Sequence, residues 1–146
     1  MTLAPPKSGT IIRYAYLWAD QHRRGREEGD KDRPALVLTL AVKADNGTVQ
    51  VLVLAITHTA PGVASDAVPL PAAVKARLGM DKEPSWIVTT EANAFVWPGP
   101  DLRPIPGRRP RTVIYVRVPD NLLQQVAISF LTNRKRQISR TVLRTS

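Results

Sequence analysis

Hydrophobic positions along this chain fall mostly into short runs with a period of two, and only toward the C-terminal end does the spacing lengthen to that of a helix. Thr10 to Trp18 (TIIRYAYLW) is β-branched and aromatic with polar breaks, which predicts a first strand behind a flexible leader, residues 1–8. Ala19 to Asp32 is polar, highly charged and punctuated by Gly25 and Gly29, so it reads as a loop. Arg33 to Val42 (RPALVLTLAV) predicts a buried strand, with Pro34 tolerated near its start or on an edge. Asp45-Asn46-Gly47 then leads into Thr48 to Thr57 (TVQVLVLAIT). Two apolar runs joined through Asn-Gly predict a β-hairpin, because both turn residues accept positive φ.

Beyond the hairpin, Ala67 to Leu70 predicts a short strand and Pro71 to Leu78 a short helix, with Pro71 in its first turn and Gly79 at its C′ position. Ser85 to Thr90 and Ala94 to Trp97 predict two strands separated by Glu91-Ala92-Asn93. Pro98 to Pro110 is a surface connection, and Arg111 to Val118 an alternating strand. Asp120 can cap an amphipathic helix carrying Leu122, Leu123, Val126, Ala127, Phe130 and Leu131, after which a basic tail, 134–146, is expected to fray. Short strands, one inserted helix and a terminal helix predict a mainly β (α+β) fold, a single domain over 1–146 built as a closed or nearly closed small barrel, since closure removes exposed edges. The antiparallel hairpin and the lone short helix disfavour repeated βαβ crossovers.

Composition sharpens this picture. The 146 residues suffice for one domain with a real core. Lys plus Arg number 21 against 12 Asp plus Glu, a formal charge of +9, so attraction to a polyanion is expected and nucleic acid is the natural candidate. The alternative source of that excess is the tail, where Arg134, Lys135, Arg136, Arg140 and Arg144 cluster. Cysteine is absent, which removes disulfides, thiolate metal sites and cysteine nucleophiles together. Met1 to Gly9 carries no apolar run and the other apolar stretches are strand-sized, which predicts a cytoplasmic protein with no membrane partner. Two distant histidines and scattered carboxylates give no metal-ligand spacing, and no phosphate-cradling glycine loop is present, so neither metal nor cofactor is expected.

The order of segments resembles the PemK/MazF toxins of type II toxin–antitoxin systems. The resemblance rests on Gly9-Thr10-Ile11-Ile12 opening a strand, the charged loop, Asp32-Arg33-Pro34-Ala35-Leu36-Val37-Leu38, the hairpin strand ending at Thr57, and Trp86-Ile87-Val88 to Glu91 before Trp97. It runs from about Lys7 to Phe130, and its most specific piece is the Arg-Pro-Ala-hydrophobic run with a threonine closing the next strand. The resemblance implies an SH3-like β-barrel, a homodimer, metal-independent endoribonuclease cleavage of single-stranded RNA, and silencing by a small acidic antitoxin protein. It also implies that the arginine before Pro-Ala and the threonine ending the next strand, here Arg33 and Thr57, form the functional pair. Two departures are visible: Thr57-His58-Thr59 stands where better-known members have Thr-Thr-Gln, and Glu91-Ala92 where they have Asp-Gln.

Metal-free RNA cleavage uses the 2′-hydroxyl as nucleophile, so the protein must accept a proton, donate one, and stabilise phosphorane charge. Arg33 suits the last role through its planar, permanently charged fork; its competing role is an anchor pairing with Asp32 or Glu28. Thr57 offers a hydroxyl that can orient a phosphate oxygen, or simply a β-branched strand end. His58 follows directly, and imidazole is the side chain suited to acid–base work near neutrality. Strand alternation would turn it away from Thr57 unless the strand has already broken there. Arg23, Arg24 and Arg26 are expected to contact phosphates, whereas His22 reads as solvated, and Glu27 and Glu28 read either as a solvated charge run or as a base beside Arg33. Glu91 and Asn93 occupy the family's substrate-contact loop, with Asn93 a candidate for a base edge. Trp97 and Trp18 are either stacking platforms for unpaired bases or core residues. Two other functions remain open: a toxin of the CcdB type that binds DNA gyrase through its C-terminal helix, and a non-toxic SH3-like RNA- or protein-binding module.

Overall fold

The apolar runs of Arg33–Val42 (β2) and Val49–Thr57 (β3) form an antiparallel pair, as the sequence predicts. The computed structural model describes residues 4–23, 32–79, 82–136 and 140–144. The hairpin connection is wider than a two-residue turn: Lys43 N–H donates to Thr48 O (2.8 Å) and Gly47 N–H to Lys43 O (2.9 Å), with Gly47 at φ 69°. Asn46 shapes it through its side chain, whose Oδ1 accepts from Thr48 N–H and Oγ1–H at 3.0 and 2.7 Å. The register steps from Val37↔Val53 to Thr39↔Leu52, leaving Leu38 as the extra residue of a bulge.

Thr10–Tyr14 (β1) pairs with β2, with Arg13 opposite Pro34 and Tyr14 opposite Arg33. A strand near the C-terminal end, Ile114–Arg117, adds to the other edge of β1. On its far edge β3 forks. Its residues Gln50 to Val53 pair with Glu91–Val96, whereas Ile56 and Thr57 pair with Trp86–Val88, itself joined by Ala67–Pro69. In chain order these are β4 (Ala67–Pro69), β5 (Trp86–Val88), β6 (Glu91–Val96), β7 (Ile114–Arg117) and β8 (Arg140–Leu143), the last lying parallel to β6.

The result is an eight-stranded, predominantly antiparallel sheet that stays open, which corrects the expectation of a closed barrel. Among the described residues no ladder joins β7 to β4 or to β8. The cause is that β3 divides its outer edge between two different strands. The segment between β6 and β7 could not complete a ladder either, because Pro98, Pro100, Pro104, Pro106 and Pro110 lack the N–H donors a ladder requires.

Among the described residues three α-helices accompany the sheet: α1 (Ala19–Arg23), α2 (Ala72–Leu78) and α3 (Asp120–Lys135). The first lies where a loop is expected. Pro71 is the N-cap of α2 and Gly79 closes it in the left-handed region at φ 70°. Pro119, not Asp120, caps α3; Asp120 instead pairs with Arg117 at 3.0 Å. Leu122, Val126, Phe130 and Asn133 face inward from α3, while Ile128 and Leu131 are 63% and 57% exposed. Strand alternation separates two cores, one on each sheet face. Ile11, Leu36, Leu54 and Ile87 meet α3 on one face; Ile12, Val37, Val53 and an aromatic group with Tyr14 stacked on Phe95 at 4.8 Å lie on the other. Among the described residues no helix is long and apolar enough to cross a membrane.

The fraying tail is a second correction. After α3 the chain returns as β8, placing Thr141 opposite Ala92 and Val142 opposite Asn93. Arg144 then enters the interior, its side chain only 3% exposed, with Nη2 3.0 Å from Asp101 Oδ1. Its Nη1 donates to Ala15 O and Asn93 Oδ1, both at 2.9 Å, and to Tyr14 Oη at 3.2 Å. A guanidinium can be buried this way because its donors find acceptors and its charge finds a carboxylate. The same neighbourhood holds the chain after β1, where ladder bonds give way to side chains: Leu17 N–H donates to Asn93 Oδ1 (2.9 Å), Asn93 Nδ2 donates to Leu17 O (2.7 Å), and Ala19 N–H donates to Glu91 Oε2 (2.7 Å).

Candidate active site

Continuing the β2–β3 register beyond Ala35↔Ala55 by two residues brings the first residue of β2, Arg33, opposite the last of β3, Thr57. Facing partners share a sheet face, so antiparallel pairing alone delivers this juxtaposition. Both residues line a cleft of about 560 Å³ together with Trp18, His58, Asp66 and Thr90. Both also line a smaller cavity of about 180 Å³, with Asp32, Pro34, His58 and Ser85. Arg33, Thr57 and His58 therefore form the wall between the two spaces.

Arg33 is half-buried and its guanidinium lies 5.1 Å from the centre of the Trp18 ring. Stacking of this kind restrains the planar group, whose Nε is buried. Asp32, one candidate anchor for Arg33, lies 3.5 Å from Arg103 Nε; Glu28, the other, lies outside the described residues. Thr57 Oγ1 accepts a hydrogen bond from Thr59 N–H at 3.1 Å, which turns the chain out of the sheet immediately after β3. The strand has thus broken at His58, and alternation no longer separates it from Thr57.

His58 is exposed, with Nδ1 3.1 Å from the carbonyl oxygen of Pro84 and 3.0 Å from Ser85 Oγ. A carbonyl can only accept, so this contact favours the tautomer with the proton on Nδ1 and the lone pair on Nε2. Ser85 is buried beside it because Thr57 pairs with Trp86, the next residue of β5. The sequence reading missed Ser85, Asp66 and Thr90; they arrive through pairing between strands distant in sequence, for which no local pattern exists. Asp66 adds an acceptor-only carboxylate to the cleft lining.

The remaining expectations divide. Asn93 is not on a loop but inside β6, 0% exposed, with its amide bonded to Leu17 and Arg144, so it has no edge to present to a base. Glu91 opens the same strand and accepts from Ala19 N–H and, at 3.4 Å, from Tyr16 Oη–H. Trp97 is 7% exposed and packs against Phe95, which makes it core and not a stacking platform; Trp18, half-buried in the cleft lining, keeps that possibility. Arg24, Arg26 and Glu27 lie outside the described residues, and Arg23 and His22 are placed only as part of α1.

A larger groove of about 750 Å³ runs between α3 and the sheet, lined by Leu38, Leu52, Leu123, Ala127, Phe130 and Leu131 among others. Its lining is mainly apolar, and it contains neither Arg33, Thr57 nor His58. Among the described residues no group of three histidine or acidic side chains is placed to hold a metal ion. Neither a scan against protein-family models nor a search of curated proteins returns a match for this chain.

Proposed function

We propose that this protein is an endoribonuclease toxin that cuts single-stranded RNA by attack of the 2′-hydroxyl on the adjacent phosphate, without a metal ion. The observation that carries this reading is the meeting of Arg33, Thr57 and His58 on one wall of a cleft whose volume suits a nucleotide unit. In the reaction the 2′-oxygen bonds to phosphorus, the bond to the 5′-oxygen breaks, and the products are a 2′,3′-cyclic phosphate and a 5′-hydroxyl. Arg33 holds the non-bridging oxygens as charge accumulates, and Thr57 donates its hydroxyl to the same group. His58 Nε2 takes the 2′ proton, and the imidazolium so formed, or a water, supplies the proton that the leaving oxygen needs.

The likeness to SH3-like toxins is carried in this reading by the hairpin, the inserted helix α2 and the C-terminal helix, not by barrel closure. A second copy of the chain and a small acidic antitoxin complete the proposed partners. The test is incubation of the purified protein with mixed-sequence RNA in EDTA beside Arg33→Ala. Cleavage is expected to survive chelation and to fall about 10²–10³-fold in the variant; RNA left intact by the wild type would end the proposal. The exposed Ile128 and Leu131 on α3 favour the gyrase-binding alternative, which intact RNA together with blocked gyrase would support.

A further inference from the structure

A row of side chains crosses the sheet from the small cavity toward β7. Pro34, in the cavity wall with His58 and Ser85, lies opposite Arg13 on β1. Arg13 Nη1 donates to Tyr115 Oη on β7 at 3.3 Å, and the Arg108 guanidinium sits 5.8 Å from the centre of the Tyr115 ring. Arg103 ties the row to the cavity, its N–H bonded to Arg13 O at 3.0 Å and its Nε 3.5 Å from Asp32 Oδ1. The loop that carries Arg108 is closed on itself, with Ile105 N–H donating to Thr112 O (2.9 Å) and Arg108 N–H to Ile105 O (3.4 Å). It exposes Arg108, Arg109 and Arg111, and among the described residues none of these three forms an ion pair.

Arg13 and Tyr115 lie on the sheet face opposite to that of Arg33 and Thr57, and residues of both faces line the small cavity at the start of β2. We propose that Arg13, Arg108, Arg109, Arg111 and Tyr115 form a track that holds the backbone of single-stranded RNA where it leaves the cleft around that end of the sheet. This rests on the ribonuclease reading for the RNA's position in the cleft, but its binding contribution is independent of cleavage. From Pro34 on β2 through β1 to β7 is two interstrand steps, about 10 Å, the width of sheet over which the track runs from the small cavity. Cations spaced along one line suit a linear polyanion, because each neutralised phosphate releases condensed counterions. Guanidinium groups grip phosphate oxygens through paired donors, and such contacts position the strand without reading its sequence. The track also gives the chain's positive excess a role outside its basic tail.

The experiment compares the full chain with the Arg108→Gln/Arg109→Gln/Arg111→Gln variant by fluorescence anisotropy. The probes are non-cleavable 2′-O-methyl RNA oligomers of about 12 and about 3 nucleotides at several salt concentrations. For the longer oligomer the variant should bind about tenfold more weakly or worse at low salt, and the slope of log K against log salt should fall by about 2, from about 0.7 per lost phosphate contact. The short oligomer should bind nearly equally to both, and the melting temperature should be unchanged because the replaced side chains are exposed. An unaltered affinity and slope for the longer oligomer overturns the track, as does an acidic peptide bound more tightly than RNA through the same arginines. Arg-dependent binding with unmodified RNA left uncut retires the ribonuclease reading and leaves the track standing. Arg33-dependent cleavage with binding unaffected by the triple change retires the track alone.

Discussion

The Pro84 carbonyl beside Nδ1 of His58 favours the tautomer that keeps a proton there, which in the ribonuclease reading assigns the acid–base work to Nε2. His58→Ala is expected to lower kcat for RNA cleavage about a hundredfold or more with KM little changed, measured on a defined oligonucleotide at neutral pH. A loss confined to KM would reassign His58 to substrate binding. Arg33 and Thr57 could be singled out through the family resemblance and His58 through imidazole chemistry beside them, and the three line one cleft. Asn93 could not be read correctly, since a polar residue between apolar runs looks like a loop until its buried partners, Leu17 and Arg144, are known. Ser85 was invisible for the same reason, its significance depending wholly on the pairing of β3 with β5.

Elements followed the local pattern where the pattern is local. The limits of β2 agree with the apolar run, and Gly47 and Gly79 take the positive φ that their turn and helix end demand. Failures came where a partner distant in sequence decides. The four residues of β8 have too little apolar surface to announce a strand, and they become one because β6 offers an open edge and Asp101 a buried carboxylate for Arg144. Arg144→Ala should destabilise the protein by about 3–5 kcal/mol in urea unfolding, chiefly because it leaves Asp101 buried without its guanidinium. Adding Asp101→Ala should cost less than the sum of the two single changes, since the second removes a charge that the first has stranded. Strict additivity would show that the pair does not act as a unit.

Among the described residues the two main cores lie on opposite faces of the sheet, and the aromatic one is expected to be sensitive to alkali. Burial pushes the Tyr14 phenol well above its ordinary value, against a lowering by Arg144; burial first, and then the neighbouring Glu91 carboxylate, pushes Tyr16 up as well. A raised phenol stays neutral in the folded state while the unfolded chain ionises near pH 10, so the folded form holds more protons there. Stability is therefore unaffected by these groups well below pH 10 and is lost as pH rises past it. Thermal melts should show a midpoint that falls steeply above about pH 10, with tyrosinate absorbance from the two buried rings appearing together with loss of near-ultraviolet circular dichroism. A flat midpoint through that range would contradict the burial of these phenols.

Because β8 completes β6 from the far end of the chain, the order of synthesis matters to this fold. A nascent chain emerging from the ribosome has β6 available long before residues 140–144 have been made, at about 5–20 residues per second. During those seconds the outer edge of Glu91 to Ala94 is an open template for another chain, and the pocket for Arg144 is unfilled. Slow translation over α3 or early termination before Arg140 therefore exposes the nascent protein to edge-to-edge association, a hazard that passes once the last strand is released.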